Sequence, residues 1–266
     1  MAAMRGYHFL DTTIAVTSDA PSIALWLDEF LRPAFDPWGG AADFAVSVRT
    51  DRAAYEAAAA TRPSGKLPDE PCFALDREVV RHPCWRSAGR TVLADAKYGA
   101  FYALDGTEVD VIAHPGSALF RGGVMRVVRE LATVRALASP DRVQLHAAAF
   151  EVDGHAVLVA GPKGAGKTTL LAYVASSTGA RILTNDRAVA QRLGSGFEVR
   201  GVPTFVSVRP HTRALLPRLF RGITLERPAH LTLAEADAAT AGGDHREITT
   251  RLKLSPPQLA RQLGVT

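Results

Sequence analysis

Cysteine, lysine, aromatic residues and long apolar runs are all scarce in this chain, and each scarcity removes a class of explanation. Two cysteines, Cys72 and Cys84, stand twelve residues apart with no metal-ligand spacing around them. A disulfide framework and a zinc site are therefore excluded as organising devices. No stretch reaches the roughly 18 uninterrupted apolar residues of a membrane span. The opening "MAAMRGYHFLDTT" also lacks the apolar centre of a signal peptide. The expected address is the cytoplasm, with no membrane partner. Aromatics make up only 7% and the basic residues are spread along the chain, so a net charge of +4 brings no base-stacking patch with it. No nucleic-acid partner is expected. Of 31 basic residues only five are lysine, and the arginine excess suits an acidic or phosphorylated partner.

What is present is an ordinary globular composition. With 266 residues, 47% hydrophobic and 22% charged, the chain can bury one large core or two modest ones, hence one or two domains. The N-terminal part reads as a mixed α/β module over residues 1–115. "TTIAVTSD" is strand-like, and "APSIALWLDEFLRPAF" places Ile23, Trp26, Leu27, Phe30 and Leu31 on one helical face, with Asp19 as a cap and Pro21 in the first turn. "DFAVSVRT" is again a strand. The alanine-rich, proline-broken run from Ala53 to Pro71 reads as an excursion, and "REVVRHP", "RTVLADAKY", "AFYALDG" and "EVDVIAHP" read as short strands. From Ser117 to Ser139 a helix is expected, with Val124, Val127, Val128, Leu131 and Val134 on one face and Arg126, Arg129 and Arg135 elsewhere around it. A second domain over 116–266 would begin at this helix.

The chemistry concentrates after Pro140. "VQLHAAAF" and "AVLVAG" are β-patterned runs about an Asp153-Gly154 turn, and the second runs into Gly161-Pro162-Lys163-Gly164-Ala165-Gly166-Lys167-Thr168. That octet fits G-x-x-x-x-G-K-[ST] without a mismatch, followed by Thr169 and the amphipathic run "TTLLAYVASS". Glycines let such a loop curl so that backbone N–H groups converge on phosphate oxygens, and the helix adds its positive end. Lys167 would neutralise the β- and γ-phosphates, and the Thr168 hydroxyl would ligate Mg²⁺. "GARILTNDRAVA" reads as a strand ending at Asn185-Asp186, where a metal-binding or base carboxylate would face the phosphates. A transporter-type signature and a guanine-reading N-K-x-D are both missing, which disfavours a motor or a GTPase switch.

These landmarks resemble the HPr kinase/phosphorylase family and its shorter relatives. In that family a histidine opens the strand pairing with the P-loop strand, matched by His146. An aspartate pair follows the P-loop helix, matched by Asn185-Asp186, and an E-x-R-G signature is matched by Glu198-Val199-Arg200-Gly201. The resemblance covers residues 142 to 203 and implies an α/β fold with a P-loop kinase core of the phosphoenolpyruvate carboxykinase-like type. It implies ATP and Mg²⁺ as cofactors and phosphoryl transfer to a hydroxyl, most simply a serine of a peptide or protein. Asp186, His146 and Lys167 are then the catalytic candidates. Residues 161–169 hold the nucleotide, and Thr168, Asp186 and Glu198 hold the metal. The family's first aspartate is Asn185 here, and an amide can neither act as a general base nor offer a full charge to a metal. The founding enzymes' long C-terminal helical segment with its second motif has no counterpart. Instead "EADAATAGGDH" reads as a mobile loop and "KLSPPQLARQLGV" as a proline-started terminal helix.

Two further readings stay open: a nucleotide-binding regulatory or scaffold module with little turnover, and a small-metabolite kinase. The relatives include tailoring kinases of precursor peptides, which makes such a peptide a candidate acceptor. Arg209, His211, Arg213, Arg218, Arg221 and Arg227 form a basic run suited to an acidic or carboxylate-bearing acceptor. A homo-oligomer is also compatible with the family.

Overall fold

The structure is a computed structural model, and it describes residues 3–32, 34–75, 78–117, 119–162, 164–208, 210–219 and 252–265. The loop expected at 235–245 lies outside them, as do Lys163, Arg209, Arg221 and Arg227. The fold is mixed α/β and divides into two compact units of nearly equal size: Met1–Asp28 with Phe35–Ala136, and Glu29–Ala34 with Leu137–Thr266.

The first unit is built on a nine-stranded sheet in the order β3-β1-β2-β4-β9-β8-β7-β6-β5. Its strands are β1 (Ala3–Phe9), β2 (Thr12–Ser18), β3 (Asp36–Pro37), β4 (Phe44–Arg49), β5 (Asp69–Leu75), β6 (Glu78–Ser87), β7 (Arg90–Asp95), β8 (Ala100–Asp105) and β9 (Glu108–Ala113). β4 pairs in parallel with both β2 and β9, and every other pairing in the sheet is antiparallel. The helix α1 (Pro21–Leu31) forms where expected. Asp19 does not cap it, however, because its carboxylate accepts hydrogen bonds from the backbone N–H and hydroxyl of Thr50, while the Ser18 hydroxyl accepts from the Ala20 N–H. The expected excursion after Ala53 begins instead as a helix, α2 (Arg52–Ala60). Asp51 caps it by accepting from the N–H groups of Ala53 and Ala54.

The helix α3 (Phe120–Ala136) packs on β2 and β4 and lies in the first compact unit, which ends at Ala136. Its buried face is also rotated from the valine stripe. Gly122, Gly123, Val124, Met125, Val128, Ala132 and Ala136 face inward, whereas Val134 is 68% exposed. The two glycines explain the rotation: a Cβ at either would lie 2.9 Å from Tyr98 or Tyr102, so only glycine lets the helix approach these rings. Arg129, expected on the solvated side, is buried and bonds the Glu130 carboxylate at 2.7 Å.

The second unit holds a five-stranded sheet ordered β11-β10-β13-β14, with β12 also pairing β10. Its strands are β10 (Arg142–Val152), β11 (His155–Ala160), β12 (Arg181–Thr184), β13 (Arg187–Leu193) and β14 (Gly196–Val202). β15 (Val206–Val208) and β16 (Leu252–Leu254) form a separate pair, and α5 (Pro210–Leu215) and α6 (Pro256–Leu263) complete the unit. The terminal helix is as expected, opened by a capping box between Ser255 and Gln258. The central helix α4 (Lys167–Thr178) is not amphipathic in the simple sense, because apolar Leu170 and Tyr173 are exposed outside its buried face of Leu171, Ala172 and Ala175. Leu171 joins Ala148 and Phe150 of β10, while Ala172 and Ala175 join Val206, Val208, Leu259 and Leu263. Ala148, small and fully buried on the face of β10 that packs with Leu171, leaves room for the helix.

Candidate functional site

The site follows from how three chain segments reach one level of the second sheet. β10 and β11 form a hairpin about Asp153 and Gly154, both with positive φ (50° and 76°), which a two-residue primed turn requires. The register ends with Ala147 opposite Ala160, so the next residue, Gly161, enters the loop level with His146. On the other edge of β10, Thr184 of β12 lies opposite Ala149 and Arg187 of β13 lies opposite His146. Asn185 and Asp186 therefore span a two-residue gap in one ladder. Glycine loop, His146 and Asp186 meet at that gap.

Within the loop, Gly164 and Gly166 take φ of 92° and 89°, a region closed to most side chains, and Gly166 directly precedes α4. Lys167 curls back over the loop, its ammonium donating to the Gly161 carbonyl at 2.7 Å and the Pro162 carbonyl at 3.4 Å. A positive charge is thus held at the loop mouth, where the helix N-terminus also points. Thr168 is half-buried in the first turn of α4. The neighbouring Thr169, expected to contact nucleotide, shares a 2.8 Å hydrogen bond with the buried Thr212 of α5. The first turn of α4 is thereby tied to the start of the basic segment. Of that segment Arg218 is exposed, and the side chains of His211 and Arg213 lie outside the described ones.

The gap residues divide their roles by burial. Asn185 is 8% exposed, and its amide oxygen accepts a 3.0 Å hydrogen bond from the Thr204 hydroxyl, which ties it into the scaffold. Asp186 stays half-open, its side chain 36% exposed. One oxygen lies 3.4 Å from Nε2 of His146, and the other lies 3.8 Å from Nε of Arg187. Arg187 was not visible as a site residue in the sequence. It opens an apolar strand like any strand-end charge, yet it is only 6% exposed and sits against the candidate carboxylate. Thr204 was likewise missed, since no local spacing links it to Asn185.

The E-x-R-G tetrad is not brought to this level. Glu198 lies opposite Gln191, four residues along the strand from the rung of Arg187 and Val202, about 13 Å away at strand rise. Its carboxylate accepts from Nε of Arg200 at 2.7 Å. Gly201 has a packing reason of its own: a Cβ there would lie 1.9 Å from the Leu183 carbonyl oxygen, so β14 can approach the end of β12 only with glycine. Among the described residues no group of three or more His, Cys, Asp or Glu side chains could hold a metal by itself. One hydroxyl and one carboxylate nonetheless fit Mg²⁺, which keeps most of its shell as water and phosphate oxygen. Thr168 and Asp186 supply that donor chemistry.

Compared with protein-family models and with curated proteins, the chain matches neither a family model nor a curated sequence. Among the described residues no helix is long and apolar enough to cross a membrane.

Proposed function

We propose that the second unit transfers the γ-phosphoryl group of Mg-ATP to a hydroxyl, with a serine of a peptide or protein as the leading acceptor. The observation that carries this reading is the meeting of the glycine loop, His146 and Asp186 at one gap in the sheet. The loop N–H groups and Lys167 hold the β- and γ-phosphates. Thr168 and Asp186 hold Mg²⁺, which would offset charge on the transferring group. The acceptor oxygen attacks phosphorus as the bond to the ADP oxygen breaks, and its proton passes to the pair of His146 and Asp186. Arg187 keeps Asp186 aimed at His146. The exposed Arg218, with the basic residues that neighbour it in sequence, would receive the acceptor's acidic or carboxylate end.

The test supplies γ-labelled ATP with serine- and threonine-containing peptides, free amino acids, nucleosides and sugars, and locates the label by mass spectrometry. Label on peptide serine, lost in Asp186→Asn while ATP still binds, supports the assignment. Label on a metabolite alone would move the reading to a small-molecule kinase. Binding without transfer to any acceptor would favour the second reading, a nucleotide-dependent regulatory or scaffold module, which the burial of Asn185 against Thr204 also suits.

A further inference from the structure

Among the described residues, most edges of the two large sheets are guarded. In the first unit β3 is only two residues long and contains Pro37, and β5 carries Asp69, Glu70 and Pro71. In the second sheet β14 carries Glu198 and Arg200. Short strands, charges and prolines are the usual means of preventing edge-to-edge pairing. The other edge of that sheet is β11, His-Ala-Val-Leu-Val-Ala, which has no Asp, Glu, Lys, Arg or Pro and pairs with β10 in unbroken register. Among the described residues nothing pairs with its outer side. Val157 and Leu158, on its two faces, are 40% and 37% exposed.

We propose that β11 pairs antiparallel with β11 of a second copy of this chain, joining the two five-stranded sheets into one. The strand's own sequence names the partner. Ala156-Val157-Leu158-Val159-Ala160 reads the same in both directions. A two-fold axis at Leu158 therefore sets Ala156 opposite Ala160, Val157 opposite Val159 and Leu158 opposite its own copy, matching side-chain size at every rung. An unrelated strand would make no use of that symmetry. Carried outward, the same register sets His155 of the second copy opposite Gly161, the first residue of the glycine loop. His155 is exposed, with Nδ1 engaged by the Asp153 carbonyl at 2.9 Å, which leaves Nε2 as its outward nitrogen. Each copy would thus bring an imidazole beside the other's loop, a consequence that holds whether or not phosphoryl transfer occurs there.

Sedimentation of the full chain over a range of concentrations should show a dimer. Leu158→Lys sets two ammonium groups face to face on the axis, and it should raise the dissociation constant at least about a hundredfold. Its circular dichroism should be unchanged. Leu158→Cys should form a covalent dimer under mild oxidation, whereas Cys at the more exposed Leu193 should not. The outer amides of β11 should exchange slowly only at concentrations where the dimer forms. A wild-type chain that stays monomeric, or a dimer that Leu158→Lys leaves untouched, overturns the proposal. Slow exchange of the outer β11 amides in the monomer overturns it too, because another segment of the chain would then cover the edge. Should Leu158→Lys fail to fold, the oxidation and exchange measurements decide.

Discussion

Each unit of this molecule contains a carboxylate beside a histidine, and the two clusters differ in almost everything except that pairing. In the first unit Asp95 is 2% exposed. It accepts from the Tyr102 hydroxyl at 2.9 Å and from the Tyr98 N–H at 3.2 Å, and His82 Nε2 lies 3.5 Å away. Burial, reinforced by the Asp95 charge, pushes the Tyr102 hydroxyl well above its ordinary value. In the second unit Asp186 and His146 stand at 3.4 Å but remain 36% and 44% exposed, at a gap between strands beside a glycine loop. A cavity of about 260 Å³ adjoins the first cluster, with walls that are otherwise mostly apolar, including Phe44, Leu93, Leu104 and Leu131. The first cluster thus borders an apolar cavity, whereas the second borders a glycine loop. Titratable groups buried within a continuous sheet hold it together. Those left half-open where a ladder is interrupted can meet a substrate.

The comparison breaks most sharply at Lys167. Lys167→Ala should cost roughly 2 to 5 kcal/mol of Mg-ATP binding, since a phosphate-directed charge is removed. Titration calorimetry should show the loss with no change in thermal unfolding. Asp95→Ala should do the reverse. It leaves the Tyr102 hydroxyl and the Tyr98 N–H without their acceptor, lowering stability by about 3 kcal/mol in denaturant titration while nucleotide affinity holds. A smaller effect is expected for Thr204→Val, about 1 to 2 kcal/mol, because the Asn185 amide loses its buried donor. Phosphoryl transfer should fall with it only if the gap residues shift.

The smallest effect is a pH dependence. The folded value of Tyr102 lies above the unfolded value of 10.0, so its neutral form contributes fully below pH 10 and loses ground as pH rises toward the folded value. The stability difference between wild type and Tyr102→Phe should be flat up to about pH 10 and shrink beyond it. A difference that shrinks on acidification instead would place the sensitivity elsewhere.

Much of the second unit was legible because its signals are local. The Asp153-Gly154 hairpin, the glycine loop leading into α4, the strand ending before Asn185 and the capped terminal helix each depend on residues a few positions apart. The first unit was less legible where packing overrode pattern. The valine stripe on α3 suggested one buried face, and Gly122 and Gly123 against two tyrosine rings selected another. In the alanine-rich run after Arg52 alanine fills every face and hides the pattern, yet Asp51 caps a helix there whose Tyr55, Ala58 and Ala59 pack against the cluster of Trp85 and Phe101. Glu198, grouped with the site by its place in a motif, lies some four residues along the sheet from it and is engaged by Arg200.

By itself the sequence determined the strand, loop and helix around Lys167, because glycine conformations and helix entry are decided within a few bonds. It also determined the palindrome of β11, which is a property of order alone. Only the tertiary structure decided that β12 and β13 share one edge of β10 and leave Asp186 facing His146. It likewise decided that Arg187 is buried behind that carboxylate, that Asn185 is buried against the Thr204 hydroxyl, and that β11 stands at an edge. Those outcomes depend on which strands pair. Pairing is settled by backbone hydrogen bonds and burial between segments far apart in the chain, where no spacing within a single segment can register it.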